Sequence, residues 1–322
     1  MIKIEGKGNI TAEIVADSIS PTGKRITTYV LEFHRFILPE FNTHRVFSRN
    51  AASSRAIPVS KMIEHMMFNS AEPIHWGRNQ SGMQAKVELE QPHKIRVQQT
   101  WAEAKFNAID AANKMHNEGA HKQIVNRILE PFQMIRVVCT ATEYDNFFYL
   151  RYHADAQPEI SHLAECMWLA REQSTPEVLQ PGEWHVPFVN TSRDAAGKRY
   201  YWNFISETEK VGISLEEALK VSASCCAQVS YRKTDTSLEK AFDIYNKLVT
   251  MKPVHASPTE HQATPMENIF GEDYTKHGTY PQKGVTHNDI KGNGWSANFC
   301  GWIQYRQLIP DNVCNNFVKE QQ

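Results

Sequence analysis

The chain has 322 residues, 41% of them hydrophobic and 22% charged, which is ordinary globular composition for two domains or for one with large insertions. Its 35 basic and 36 acidic side chains leave a formal charge of -1, so no overall field draws it toward nucleic acid or a membrane surface. An anionic ligand must therefore be held by a local cluster.

Residues Arg25–Leu38 (RITTYVLEFHRFIL) are rich in β-branched and aromatic side chains and read as a strand, punctuated by Pro39. The segment from Glu40 to Arg55 follows, dense in Arg, Ser and Asn. Apolar groups at helical spacing predict a helix over Gln98–Asn117, ended by Glu118-Gly119, and a second over His121–Leu129, halted by Pro131. Ile135–Thr142 is a strand candidate, with the apolar run Asn146–Arg151 behind it. Ile160–Arg171 predicts an amphipathic helix with Ile160, Leu163, Met167 and Ala170 on one face.

Pro176, Pro181, Gly182 and Pro187 make residues 175–191 the best candidate boundary, dividing a core of residues 1–185 from a second segment, 186–322, that completes the same domain. Ser214-Leu215-Glu216-Glu217 opens a helix as a capping box, running to about Val229. Leu238–Met251 predicts another helix. Pro265–Gly294 reads as a long loop and Trp295–Ile309 as a mixed apolar segment. Strand and helix alternate, giving an α+β or α/β chain. No apolar run approaches the ~18 residues of a membrane span, and Met1–Gly6 has no signal-peptide core. The six cysteines form no disulfide framework, and no CxxC or HExxH spacing supports a metal. The expectation is a reduced, cytoplasmic protein.

The chemistry concentrates in His44–Arg55. Three arginines, three serines, an asparagine and a histidine fall within twelve residues. Guanidinium groups match phosphate oxygens bidentately, and short hydroxyl side chains let an anion approach closely. Alone, the composition also fits a solvated basic loop. The order is more specific: His44-Arg45-x-x-Ser48-x-Asn50-x-x-Ser53-x-Arg55 resembles the signature of the flavin-dependent thymidylate synthases, an Arg-His-Arg triplet, seven residues, then Ser. Two further segments agree, in the family's order. Val125-Asn126-Arg127-Ile128-Leu129-Glu130-Pro131 is similar to the family's Val-x-Arg-Ile-x-x-Pro. Phe147–Ala164 is similar to its later element, an apolar run ending Leu-Arg and then Ala-Gln-x-Glu-Ile. Ser214–Tyr231, ending Ala-x-Val-Ser-Tyr, and Val254–His261 (VHASPTEH) look like the family's N-terminal portion, yet stand after the signature, the order a circular permutation would give.

The resemblance implies a thymidylate synthase-like α+β fold, with a central mixed or antiparallel sheet, flanking helices and permuted segments. It implies a homotetramer holding FAD between subunits, and one-carbon transfer from methylenetetrahydrofolate to C5 of a pyrimidine deoxynucleotide, dUMP to dTMP, with NADPH as reductant. No nucleic acid or membrane partner is implied. Nucleotide contacts would come from Glu40, Ser53, Ser54, Arg55, Arg127 and Arg151, with Arg151 the catalytic arginine that favours the ionised pyrimidine. Flavin contacts would come from Thr43, His44, Arg45, Ser48, Asn50, Asn146, His255, Ser257 and Glu260.

The chain departs from the pattern at Thr43, where the family has the first arginine of its triplet, at Ala51 for an acidic residue, and at Glu40 for a glutamine. Thr140-Ala141-Thr142 stands for its Asn-x-Arg. These departures leave open hydroxymethylation or methylation of dUMP or dCMP, and a non-catalytic nucleotide-binding relative.

Overall fold

The computed structural model describes residues 2–204, 209–230, 234–267 and 282–317. Tyr231, which closes the Ala-x-Val-Ser-Tyr match, and about half of the loop expected over Pro265–Gly294 lie outside them.

An antiparallel sheet forms the centre. Strands β1 (Ile2–Glu5), β2 (Thr11–Ile19), β3 (Arg25–His34), β4 (Ser48–Ala51) and β5 (Met134–Ala141) lie in the order β1-β2-β3-β5-β4. A short strand, β6 (Glu177–Val178), runs parallel to the far end of β2. β3 is buried on both faces, which is why its sequence reads as a nearly unbroken apolar and β-branched run. Two short helices, α1 (Leu38–Phe41) and α2 (Val59–Phe68), follow β3 and β4 respectively.

Alternation along the strands separates the two faces. Tyr29, Leu31 and Phe33 of β3, with Ile135, Val137 and Cys139 of β5, point into the main core. There they meet α5 (Asp145–Arg151) and α6 (Pro158–Gln173), whose Phe147, Phe148, Ile160, Leu163 and Met167 close that side. A satellite core joins α2 to α3 (His93–Asn117) and α4 (Lys122–Val125) around Met62, Met66, Ala112 and Leu129.

The opposite face is polar. Thr28 of β3, Thr140 of β5 and Ser48 of β4 stand in register across three strands. Later segments cover this row. β7 (Asn190–Arg193), β8 (Arg199–Phe204) and β9 (Lys210–Ile213) make a small meander packed against α7 (Leu215–Ala227). α8 (Leu238–Tyr245) packs beside α7, whose last turn places Cys226 on Val30 and Val138. Beyond it come β10 (Ala263–Pro265), β11 (His287–Asn288), β12 (Gly294–Ser296), β13 (Phe299–Cys300) and β14 (Trp302–Gln304), with β14 pairing β10. Trp302, wholly buried, donates through Nε1 to Lys24 O at 3.0 Å and so ties the C-terminal part to the β2–β3 turn.

Several expectations shift in detail. The long helix begins five residues earlier, at His93, and the helix expected over His121–Leu129 breaks after Val125 into a 3-10 turn through Phe132. The expected helix to Met251 loosens after Tyr245 into a single wide turn. β3 is entered by a tight turn from β2, whereas the strand after the HASPTEH segment pairs with β14 and not with the main sheet. The capping box of α7 forms as read, with Ser214 and Glu217 serving each other's backbone.

Candidate functional site

Arg151 is the last residue of α5, and its place is set by aromatic packing beneath it. Phe147, one turn earlier, meets Phe41 edge-on at 5.8 Å and Phe47 at 5.4 Å. Phe41 ends α1, which carries Glu40, and the turn after it brings His44 toward the same place. Arg49 holds that turn from behind, Nη1 donating to Phe41 O at 3.1 Å and His44 O at 3.2 Å. The result is a triad from three segments. Arg151 Nε donates to His44 Nε2 at 3.0 Å, and its Nη1 donates to Glu40 Oε1 in an ion pair.

The His44 ring lies edge-on to Phe147 at 4.9 Å and stacked near Phe47. Burial, then the Arg151 and Arg49 charges, push its pKa down to about 4. It is therefore a neutral acceptor at neutral pH, with its proton on Nδ1. Glu40 and Arg151 lie on the wall of a cavity of about 1190 Å³ that also takes in Phe36, Trp101, Gln157 and Glu159. Glu159 is buried, accepting from Ile74 N and Gln157 Nε2, both at 3.0 Å. The Ala-Gln-x-Glu-Ile element thus forms one side of the cavity, and residues 80–86 form its outer rim.

A second group gathers on Glu130. Its Oε1 accepts from Arg35 Nη2 at 2.9 Å, Ser54 Oγ at 3.0 Å and Arg127 Nη1 at 2.8 Å. Ser54 and Arg35 line a smaller cavity of about 510 Å³ with Arg136, Lys61 and Ser230. The backbone N–H of Ser53 is capped by Ser230 Oγ at 2.9 Å. In sequence, Glu130 stands out only as the residue before Pro131 in the Val125–Pro131 match. Its signal was a single carboxylate among basic residues, which burial among guanidinium groups turns into an organising centre.

The remaining expected residues divide. Arg45, Arg55, Asn146, His255 and Ser257 are exposed. Thr43 Oγ1 is tied locally to Glu40 O. Ser48, Asn50 and Glu260 are engaged within the chain. Ser48 is buried against Asn298 and Gln304, and Asn50 donates to Cys226 O at 3.2 Å. Glu260 pairs with Arg306. The geometry thus brings Glu40, His44 and Arg151 together, and Ser54 with Arg127, at two separate places in one chain.

For FAD, the fit lies at its charged end. Arg45 and Arg55 have no acidic partner among the described residues, and free exposed guanidinium groups suit a diphosphate and a 5′-phosphate. Ser48, Asn50 and Glu260 each spend at least one polar group on partners inside the chain.

The comparisons agree with this framework. Residues 23–177 match the family model described as thymidylate synthase complementing protein, a stretch that contains the arginine signature, the Glu130 segment and Arg151. Over that stretch, just under half of the chain, the sequence resembles the flavin-dependent thymidylate synthase family. The HASPTEH segment lies outside the matched residues. Among solved structures, the chain is similar to two of the UMP/dUMP methylase PolB from Streptomyces cacaoi. The form bound with 5-Br UMP aligns at 16% identity, covering 53% of this chain and 92% of the other, with a TM-score of 0.43. The form bound with 5-Br dUMP aligns at 18% identity, covering 53% and 93%, also at 0.43. No curated protein matches the sequence.

Proposed function

We propose that the chain transfers a one-carbon unit from methylenetetrahydrofolate to C5 of a pyrimidine deoxynucleotide, with FAD as cofactor and NADPH as reductant. The observation that carries this reading is the Arg151 guanidinium, fixed by Glu40 and His44 at the wall of a cavity large enough for a nucleotide. A fixed guanidinium beside a pyrimidine ring stabilises negative charge as it develops there, without reorganising during the reaction. His44, neutral and hydrogen-bonded, keeps the guanidinium plane oriented. Phe36 and Trp101, in contact at 6.4 Å, give the cavity apolar walls for a planar base. When bound, flavin supplies the reducing equivalents. Arg45 would hold its diphosphate, and Arg55 the nucleotide 5′-phosphate.

The division of the nucleotide residues between two cavities suits a site completed by a second copy, as does the exposure of Tyr149 (80%), Leu150 (46%) and Tyr152 (46%) beside Arg151. A homotetramer is part of the proposal. The test is direct. Purified protein should show flavin absorbance. Incubated with dUMP or dCMP, methylenetetrahydrofolate and NADPH, it should add a methyl or hydroxymethyl mass to one nucleotide. A colourless protein that modifies neither would overturn the reading in favour of a non-catalytic relative.

A further inference from the structure

The triad at the cavity wall leaves a particular set of groups unspent. Arg151 commits Nε to His44 and Nη1 to Glu40, and Glu40 commits Oε1 to Arg151. Arg151 Nη2 and Glu40 Oε2 have no partner among the described residues. The wall therefore offers a donor and an acceptor side by side, from a pair whose charges cancel. A neutral base that itself carries a donor beside an acceptor complements such a pair.

We infer that Glu40 and Arg151 select an aminopyrimidine, so that the base acted on is cytosine in preference to uracil. This deepens the proposed reading and rests on it. A carboxylate can only accept. Cytosine presents its exocyclic N4 amine to Glu40 Oε2, with ring N3 and O2 beside it to accept from Arg151 Nη2, and no oxygen faces the carboxylate. Uracil presents one N3–H flanked by two carbonyl oxygens. The guanidinium can answer one of them, and the other is left against the carboxylate. Proximity of Glu40 also opposes ionisation of uracil at N3, since two negative groups would then share the site. Acceptance of the cytosine amine by a carboxylate is the same pairing that proteins use to read this base in duplex grooves.

Binding separates the possibilities. Titration calorimetry on the full chain loaded with FAD, using dCMP and dUMP, should give on the order of tenfold tighter binding of dCMP. Glu40→Gln restores a donor at that position and should narrow or reverse the ratio. Three results overturn the inference. In the first, wild type binds dUMP as tightly as dCMP or more so. In the second, Glu40→Gln weakens both nucleotides equally, which makes Glu40 a positioning residue for Arg151 only. In the third, wild type binds neither nucleotide, which also removes the pyrimidine site itself, whereas the first two leave it standing. The wild-type comparison needs no variant to fold.

Discussion

Arg151 carries the functional argument at the scale of a single side chain. Its ion pair with Glu40 is about one-fifth exposed on one side and near three-tenths on the other, the class of pair worth only ~0–1 kcal/mol. Arg151→Ala should therefore shift the denaturant midpoint little while reducing turnover at least a hundredfold. Unfolding curves and the mass-spectrometric assay, run on the same preparation, check both halves. Near-normal activity in the variant would move the pyrimidine site elsewhere. Arg151 was legible because Leu-Arg followed by Ala-Gln-x-Glu-Ile is specific in order and spacing. Glu130 was not, since what makes it a hub is the arrival of Arg35 and Ser54, 95 and 76 residues away, beside Arg127 one turn before it.

At the scale of elements, the polar row on the second face of the sheet is the least predictable feature. Thr28 Oγ1 meets Thr140 Oγ1 at 2.7 Å and His185 Nε2 at 2.8 Å. His185 Nδ1 meets Ser18 Oγ, and Thr140 meets His261 Nδ1, each at 2.9 Å. Residues from β2, β3 and β5 thus form one chain of hydrogen bonds with two histidines from later segments. Thr140→Val keeps the shape but leaves His261 Nδ1 unpaired, and His261 Nε2 already lacks a partner. It should destabilise by ~1–3 kcal/mol, measured by urea unfolding. A neutral effect would mean that the chain is replaceable by apolar packing.

β3 by its β-branched and aromatic run, α6 by its amphipathic spacing and α7 by its capping box were readable from residues alone. β1 and β2 were not, because Thr11–Ile19 alternates through Ala, Asp and Ser. Thr140 was read as a gap in a family motif, whereas the structure makes it the middle of the hydrogen-bonded row.

For the whole molecule, the two histidines set a response to acid. Burial pushes His185 and His261 down to about 3 from an ordinary value of 6.5. A depressed histidine pKa means that the unfolded chain takes up the proton first. The stability from keeping them neutral is complete above ~6.5 and falls as pH drops toward 3, with a slope of about 1.4 kcal/mol per pH unit for each. Urea midpoints compared at pH 7.5 and 5 should fall sharply, and replacing His185 or His261 by Gln should flatten the slope. An unchanged slope in both variants would place the acid response elsewhere.

The joining of Ser48 to Asn298 spans 250 residues, and it also sets a clock. A ribosome adding 5–20 residues each second needs roughly 12–50 s to travel that distance. For the part of that interval after β5 has been made, the row of Thr28, Thr140 and Ser48 lacks the later segments that cover it. The nascent chain thus presents a half-covered sheet before its own C-terminal residues arrive to close it.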